Sequence, residues 1–220
     1  MWHDELMEAT RIIAVRHGET AWNVDQRLQG HLDIELNATG RLQAHRLASA
    51  LAGRETIDAI YCSDLSRARE TAQIVADELG LTLTPTPALR ERSFGAYEGL
   101  TFAKVSENWP DQAERWRKRD PDWAPPGGGE SLMQLKERLI QTVNDISARH
   151  MGQHIAIFTH GGVLDLLYRI AAGMGLQDAR TWQLGNAAVN RLLWTPDGLS
   201  LVGWGDETHL EGAVLDETTA

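Results

Sequence analysis

Two histidines in this sequence lie where a short apolar run stops. Arg16-His17-Gly18 follows RIIAV at 11–15, and His160-Gly161-Gly162 follows HIAIFT at 154–159. A brief apolar run that ends abruptly reads as a buried strand, and strand ends are where an α/β sheet presents its ligand-binding groups. A third run, Ala59–Cys62, ends at Ser63-Asp64, with Arg67 one helical turn further on. Two histidines meeting Arg16 and Arg67 at one sheet edge suit an anion with several negative oxygens. Guanidinium forks match phosphate geometry, and backbone N–H groups at a helix start add further donors. No HExxH occurs, and His45 and Glu55 make no metal site. The charge of such an anion is then expected to be met by side chains, with no metal and no other cofactor.

The intervening sequence supplies elements that bring these groups together. Asn37 reads as the N-cap of a helix running to about Leu51. Residues 66–79 place Ala68, Ala72, Val75 and Leu79 at helical spacing, and a third strand is predicted at Leu81–Thr84, ended by Pro85 and Pro87. Ser131 and Gln134 form a capping box before a helix whose apolar face is Leu132, Leu135, Leu139, Val143 and Ile146. A helix from His160 to about Ala172 and strands near Ala188–Trp194 and Leu199–Trp204 complete the chain. This alternation predicts a three-layer α/β/α sandwich with a largely parallel central sheet. Residues 86–129 break the rhythm. They hold five of the seven prolines, beside Trp109, Trp116 and Trp123, and read as a cap inserted over the site of a single domain spanning 1–220.

The net charge of −10 argues against nucleic acid as a partner. Half of it falls in residues 206–220, through Asp206, Glu207, Glu211, Asp216 and Glu217, and reads as a solvated acidic tail from about 207. No apolar run approaches the roughly 20 residues that a membrane helix needs. The N-terminus lacks the basic start and apolar core of a secretory signal, and Cys62 is the only cysteine, so the cytoplasm is the expected compartment. The oligomeric state stays open.

RHGETAWN (16–23) resembles the signature of the histidine phosphatase superfamily, also called phosphoglycerate-mutase-like. YCSDLSRARETA (61–72), LRERSFGAYEG (89–99), PGGGES (126–131) and THGG (159–162) resemble its other blocks, in order. The resemblance implies that His17 attacks phosphorus and becomes a phosphohistidine, while Arg16, Arg67 and His160 hold the transferring oxygens. It further implies that Asn23 and Gln29 add polar contacts, and that Glu91 protonates the leaving oxygen and then activates water. Glu98 and Glu130 stand close enough in sequence to compete for that acid role. HLDIELNATG (31–40) departs from the family's DxPLTxxG, with Glu35 for proline and Asn37 for threonine, which predicts a looser turn before Leu36. Cys62 does not fit the Cys-x5-Arg of cysteine phosphatases, since Ala68 stands where the arginine is needed. RWRKR (115–119) reads first as a solvated helix face and otherwise as a contact for a second anionic group of the substrate.

Three functions follow from the resemblance. A metal-independent phosphatase acting on a small phosphomonoester is favoured by the compact cap and by ERSFGAYEG. The alternative is a cofactor-dependent phosphoglycerate mutase, whose text around the acid resembles ERHYGxLQG. A non-catalytic phosphate binder is disfavoured because His17 and Glu91 are both present.

Overall fold

The computed structural model describes residues 9–211. The first apolar run forms β1 (Thr10–Arg16), and a short turn of helix, α1 (Ala21–Val24), follows the loop that carries His17. Next come α2 (Ala38–Arg54), β2 (Ala59–Cys62), α3 (Ser66–Leu79) and β3 (Leu83–Pro85). The irregular segment holds α4 (Phe102–Asn108) and α5 (Pro110–Arg117). Then α6 (Leu132–Ser147), β4 (His154–Thr159), α7 (Gly161–Ala171), β5 (Val189–Thr195) and β6 (Gly198–Asp206) close the chain.

One six-stranded sheet runs in the order β3-β2-β4-β1-β5-β6. The first four of these strands are parallel, whereas β5 pairs antiparallel with both β1 and β6. The sheet is therefore mixed, because a Pro196-Asp197-Gly198 turn joins β5 and β6 directly and a tight turn can only reverse the chain. The third strand starts two residues later than expected and includes Pro85. It pairs only with β2, and an edge strand tolerates a residue without an N–H.

Alternation along β1 and β4 divides the core in two. Ile12, Ala14, Ile155 and Ile157 pack against Leu135 and Leu139 of α6 and Leu164 and Leu167 of α7. Ile13, Val15, Ala156 and Phe158 face the other way, onto Leu47 and Leu51 of α2 and Val75 of α3. Each such fully buried aliphatic or aromatic side chain contributes about 1.5–3 kcal/mol. Both faces are covered, which is why HIAIFT is apolar throughout. The irregular segment has a small core of its own, where Tyr97, Val105, Ala113 and Trp123 are buried with Phe94 and Trp116 packed against them.

The capping residues fall where the sequence puts them. Asn37 Oδ1 accepts from Gly40 N at 2.8 Å, and Ser131 and Gln134 cap each other reciprocally. Leu36 is buried and bridged to Thr20, so Glu35 in place of proline leaves that turn closed. The start of α2 docks against the loop after His17. Asn37 N donates to Glu19 O at 3.0 Å, Glu19 N donates to Gln43 Oε1 at 2.8 Å, and Gly18 and Gly40 meet backbone to backbone. At an ordinary helical position Gly→Ala would add about 1 kcal/mol of stability. At position 40 the added methyl would collide with the Glu19 backbone. Gly40→Ala is therefore expected to lose about 1–3 kcal/mol, read by thermal melting. A protein as stable as the parent would show that this contact does not hold the loop.

Candidate active site

The parallel ladder explains why residues from three distant parts of the chain meet. Arg16 pairs with Thr159 at the ends of β1 and β4, and His17 N then donates to Thr159 O at 3.0 Å. Cys62 pairs with Phe158, and Ser63 N donates to Phe158 O at 2.9 Å. The next side chains, His17, His160 and Ser63, are all buried at this edge. The two imidazole rings lie 5.2 Å apart between centroids.

His17 Nδ1 lies 2.7 Å from the Gly18 carbonyl oxygen, which can only accept. The ring proton is therefore on Nδ1, and Nε2 keeps its lone pair. Burial, then the charges of Arg67 and Arg16, hold the His17 imidazole well below its usual titration range. Burial, Arg67 and His17 do the same to His160. Both rings are neutral at pH 7. His160 Nε2 lies 2.8 Å from Ser63 Oγ, and that oxygen already accepts from Leu65 N at 3.3 Å. With Ser63 donating its proton to His160 Nε2, Nδ1–H is the free donor of that ring. Nδ1 is buried and has no partner.

The arginines are held by the backbone. Arg16 Nη1 donates to Leu184 O at 2.6 Å, and its Nε is buried and unpartnered. Arg67 Nη1 and Nη2 donate to Leu32 O and Gly30 O, both at 2.8 Å, which anchors the guanidinium through two of its five N–H groups, and Nε remains unpartnered. Burial lowers the Arg67 guanidinium to about 10, which still leaves it charged at neutral pH. Asn23 is the N3 residue of a capping box with Thr20, and Gln29 Oε1 accepts from Thr20 Oγ1 at 3.0 Å. Both line the same cavity, of about 800 Å³, as Arg16, His17, Arg67 and Glu91.

Among the three glutamates the geometry separates one. Glu91 lines the cavity, with Oε1 accepting from Arg92 N at 2.8 Å and Oε2 from Gly162 N at 2.9 Å. Glu98 Oε1 instead accepts from His31 N and Phe94 N, both at 3.0 Å, and closes a loop. Glu130 is paired with Arg138 at 2.7 Å.

Several cavity residues had no single-residue signal in the sequence. Arg92, Asp165, Arg180 and Glu207 all line it. Of the expected acidic tail, residues 207–211 are described: Glu207, Thr208 and Glu211 are exposed, while Thr208–Leu210 form a 3₁₀ turn with His209 Nε2 3.0 Å from Ala187 O. Asp216 and Glu217 lie outside the described residues, as does His3. The 115–119 cluster divides. Arg115, Arg117 and Lys118 form exposed ion pairs with Asp120 and Glu114, while Trp116 and Arg119 face the cavity. Cys62 is buried in the core, and burial pushes its thiol up to about 11. His150 and His154 stand four apart in sequence, yet each is engaged, with Tyr61 and Glu55 respectively. Among the described residues no three His, Cys, Asp or Glu side chains group as a metal ion would need.

Fold and pocket together define an α/β enzyme scaffold with a cationic, histidine-centred cavity at the ends of parallel strands. The chain belongs to the histidine phosphatase superfamily, branch 1, whose model matches residues 12–207. It is 39% identical over 209 residues to phosphoglycerate mutase-like protein 4 of Arabidopsis thaliana, covering 94% of this chain and 90% of that one. It is 36% identical over 205 residues to the metal-independent phosphoserine phosphatase of the same plant, covering 92% and 84%. The solved mycobacterial glucosyl-3-phosphoglycerate phosphatase superposes with a TM-score of 0.80 at 30% identity, covering 90% and 99%. The protein is a phosphoric monoester hydrolase, with mutase activity the less supported alternative.

The neutral histidines set a pH dependence of stability. Their folded pKa values lie below the unfolded value, so unfolding takes up protons once the pH drops beneath about 6.5. Stability is fully present above that pH and falls as the pH is lowered towards the folded values, by up to about 1.4 kcal/mol per pH unit for each histidine. Urea unfolding between pH 7 and 5 should show this slope, and His17→Asn should reduce it. An unchanged slope in the variant would mean that His17 is not held neutral.

Proposed function

We propose that the protein is a metal-independent phosphatase that passes the phosphoryl group of a small, carboxylate-bearing phosphomonoester to His17 Nε2 and then to water. The observation that carries this reading is the Nδ1–H···O=C contact between His17 and Gly18, which leaves Nε2 as a neutral nucleophile beside two guanidinium groups. The Nε2 lone pair forms the N–P bond as the bond from phosphorus to the ester oxygen breaks, and the Glu91 carboxyl gives that oxygen its proton. In the second half, the Glu91 carboxylate takes a proton from water. The water oxygen bonds to phosphorus, and the N–P electron pair returns to Nε2. Arg16, Arg67 and His160 Nδ1–H stabilise charge on the equatorial oxygens, with the amide groups of Asn23 and Gln29 beside them.

The distal wall supports the carboxylate. Arg92 donates Nε to Glu130 O and Nη2 to Trp123 O, and among the described residues its Nη1 has no hydrogen-bond partner and Arg180 no ion-pair partner. The names of the three relatives speak of phosphoglycerate, phosphoserine and glucosyl-phosphoglycerate, all of which pair a phosphoester with a carboxylate. Residues 86–129 serve in this reading as the cap, contributing Glu91, Arg92, Phe94, Trp116 and Arg119 to the cavity. A single buried cysteine suits a cytoplasmic setting, and among the described residues no helix is long and apolar enough to cross a membrane. The mutase reading differs only in the acceptor, a second hydroxyl in place of water.

The acid role is tested by leaving-group dependence. Glu91→Gln should slow hydrolysis of an alkyl phosphate by about 10²–10⁴-fold, while the burst of p-nitrophenol from its aryl phosphate persists, because that oxygen leaves unprotonated. Glu98→Gln keeps the acceptor for His31 and Phe94 and should show no such dependence. The reverse pattern would give the acid role to Glu98.

A further inference from the structure

The residues that hold Arg119 extend this reading to a side chain that no step above uses. Arg119 follows the last turn of α5 in the left-handed region, at φ +51°. Its N–H donates to Trp116 O at 2.9 Å, and the next N–H, of Asp120, donates to Arg115 O at 3.1 Å. This pair of bonds is the helix-ending turn in which glycine is the usual residue, because a Cβ is strained there. Local stability therefore favours glycine at 119, not a long charged side chain.

What the arginine does instead is visible at its far end. Nη2 donates to Asp165 Oδ2 at 2.6 Å, and Nε donates to the Leu176 carbonyl. Among the described residues Nη1 has no hydrogen-bond partner, and Arg119 lines the cavity. Asp165 is buried on α7, five residues past His160. The same Oδ2 accepts from Arg169 Nε at 3.0 Å. Arg169 is fully buried, donates Nη1 to Gly175 O and Asp178 O, and lies 4.9 Å from the Trp182 ring. Arg169 alone would neutralise Asp165. The second guanidinium leaves this wall with an excess positive charge, which a substrate anion can offset.

We infer that Asp165 is a positioning residue: it fixes the Arg119 guanidinium on the distal wall so that Nη1 reads the carboxylate of the substrate. Because α7 begins at Gly161-Gly162, the same helix that holds Glu91 through Gly162 N also holds Arg119 through Asp165. The two ends of the substrate are thereby set by one rigid element. This rests on the carboxylate reading of the substrate given above.

The test compares O-phosphoserine with phosphoethanolamine, which differ by the carboxylate alone. In the parent enzyme the ratio of their kcat/KM values should favour phosphoserine. In Asp165→Asn that ratio should fall on the order of 10-fold, with the change in the KM for phosphoserine. Arg119→Gly should do the same, and it should melt no lower than the parent, since it relieves the backbone at 119 and leaves Asp165 paired with Arg169. A parent ratio near one would overturn the carboxylate reading and this inference together. A parent preference that both variants retain would overturn the inference and leave the carboxylate reading standing. An equal fall in kcat on both substrates would make the contact merely structural.

Discussion

The site depends on keeping an imidazole neutral and oriented between two guanidinium groups. A histidine in water is partly protonated near neutral pH, and its protonated form has no lone pair to offer. Here burial and the neighbouring charges of Arg67 and Arg16 remove the proton, and the Gly18 carbonyl decides which nitrogen keeps the remaining one. The same charges that would hold a phosphate thus also keep neutral the imidazole proposed as the nucleophile. That economy brings a constraint: the cations must be held without anions of their own. Arg16 and Arg67 are anchored by the carbonyls of Leu184, Gly30 and Leu32, not by carboxylates.

Everything else in the fold serves that arrangement. The β1–β4 ladder fixes His17 beside His160, and the β2–β4 ladder brings Ser63 Oγ within 2.8 Å of His160 Nε2. The docking of α2 on Glu19 and the Gly18 N–H to Thr71 Oγ1 bond, at 3.0 Å, hold the loop from the other face. The ladders come from strands with filled cores on both sides, while the arginine anchors come from the loop carbonyls of Gly30, Leu32 and Leu184. The walls that face the rest of the substrate are built differently. They come from the irregular 86–129 segment and from the turn after α7, tied together at Asp165.

What was legible in the sequence follows this division. RIIAV and HIAIFT announce buried strands because both faces of a covered parallel sheet must be apolar, and their ends locate Arg16, His17 and His160. Asn37, Ser131 and Gln134 announce helix starts because capping is a local interaction. β3 was misplaced because an edge strand of three residues has little pattern to show. Glu207 is exposed, as its acidic neighbours suggest, but the 3₁₀ turn that follows it, with Arg46 donating to Leu210 O at 3.2 Å, has no local signature in the sequence. The Arg119–Asp165 pair spans 46 residues and carries no local signature at all. Likewise Arg67 could be read for its chemistry, but not for the two carbonyls that anchor it.

The central claim is that Nε2 of His17 carries the phosphoryl group in turnover. Mixing the enzyme with substrate in excess EDTA, quenching in base, and examining the product by ³¹P and ¹⁵N NMR would test it most directly. The account predicts an acid-labile, base-stable phosphoramidate on Nε2 of His17, absent from His17→Asn. A phosphoryl group on Nδ1 or on another residue, or turnover without any phosphoenzyme, would contradict it.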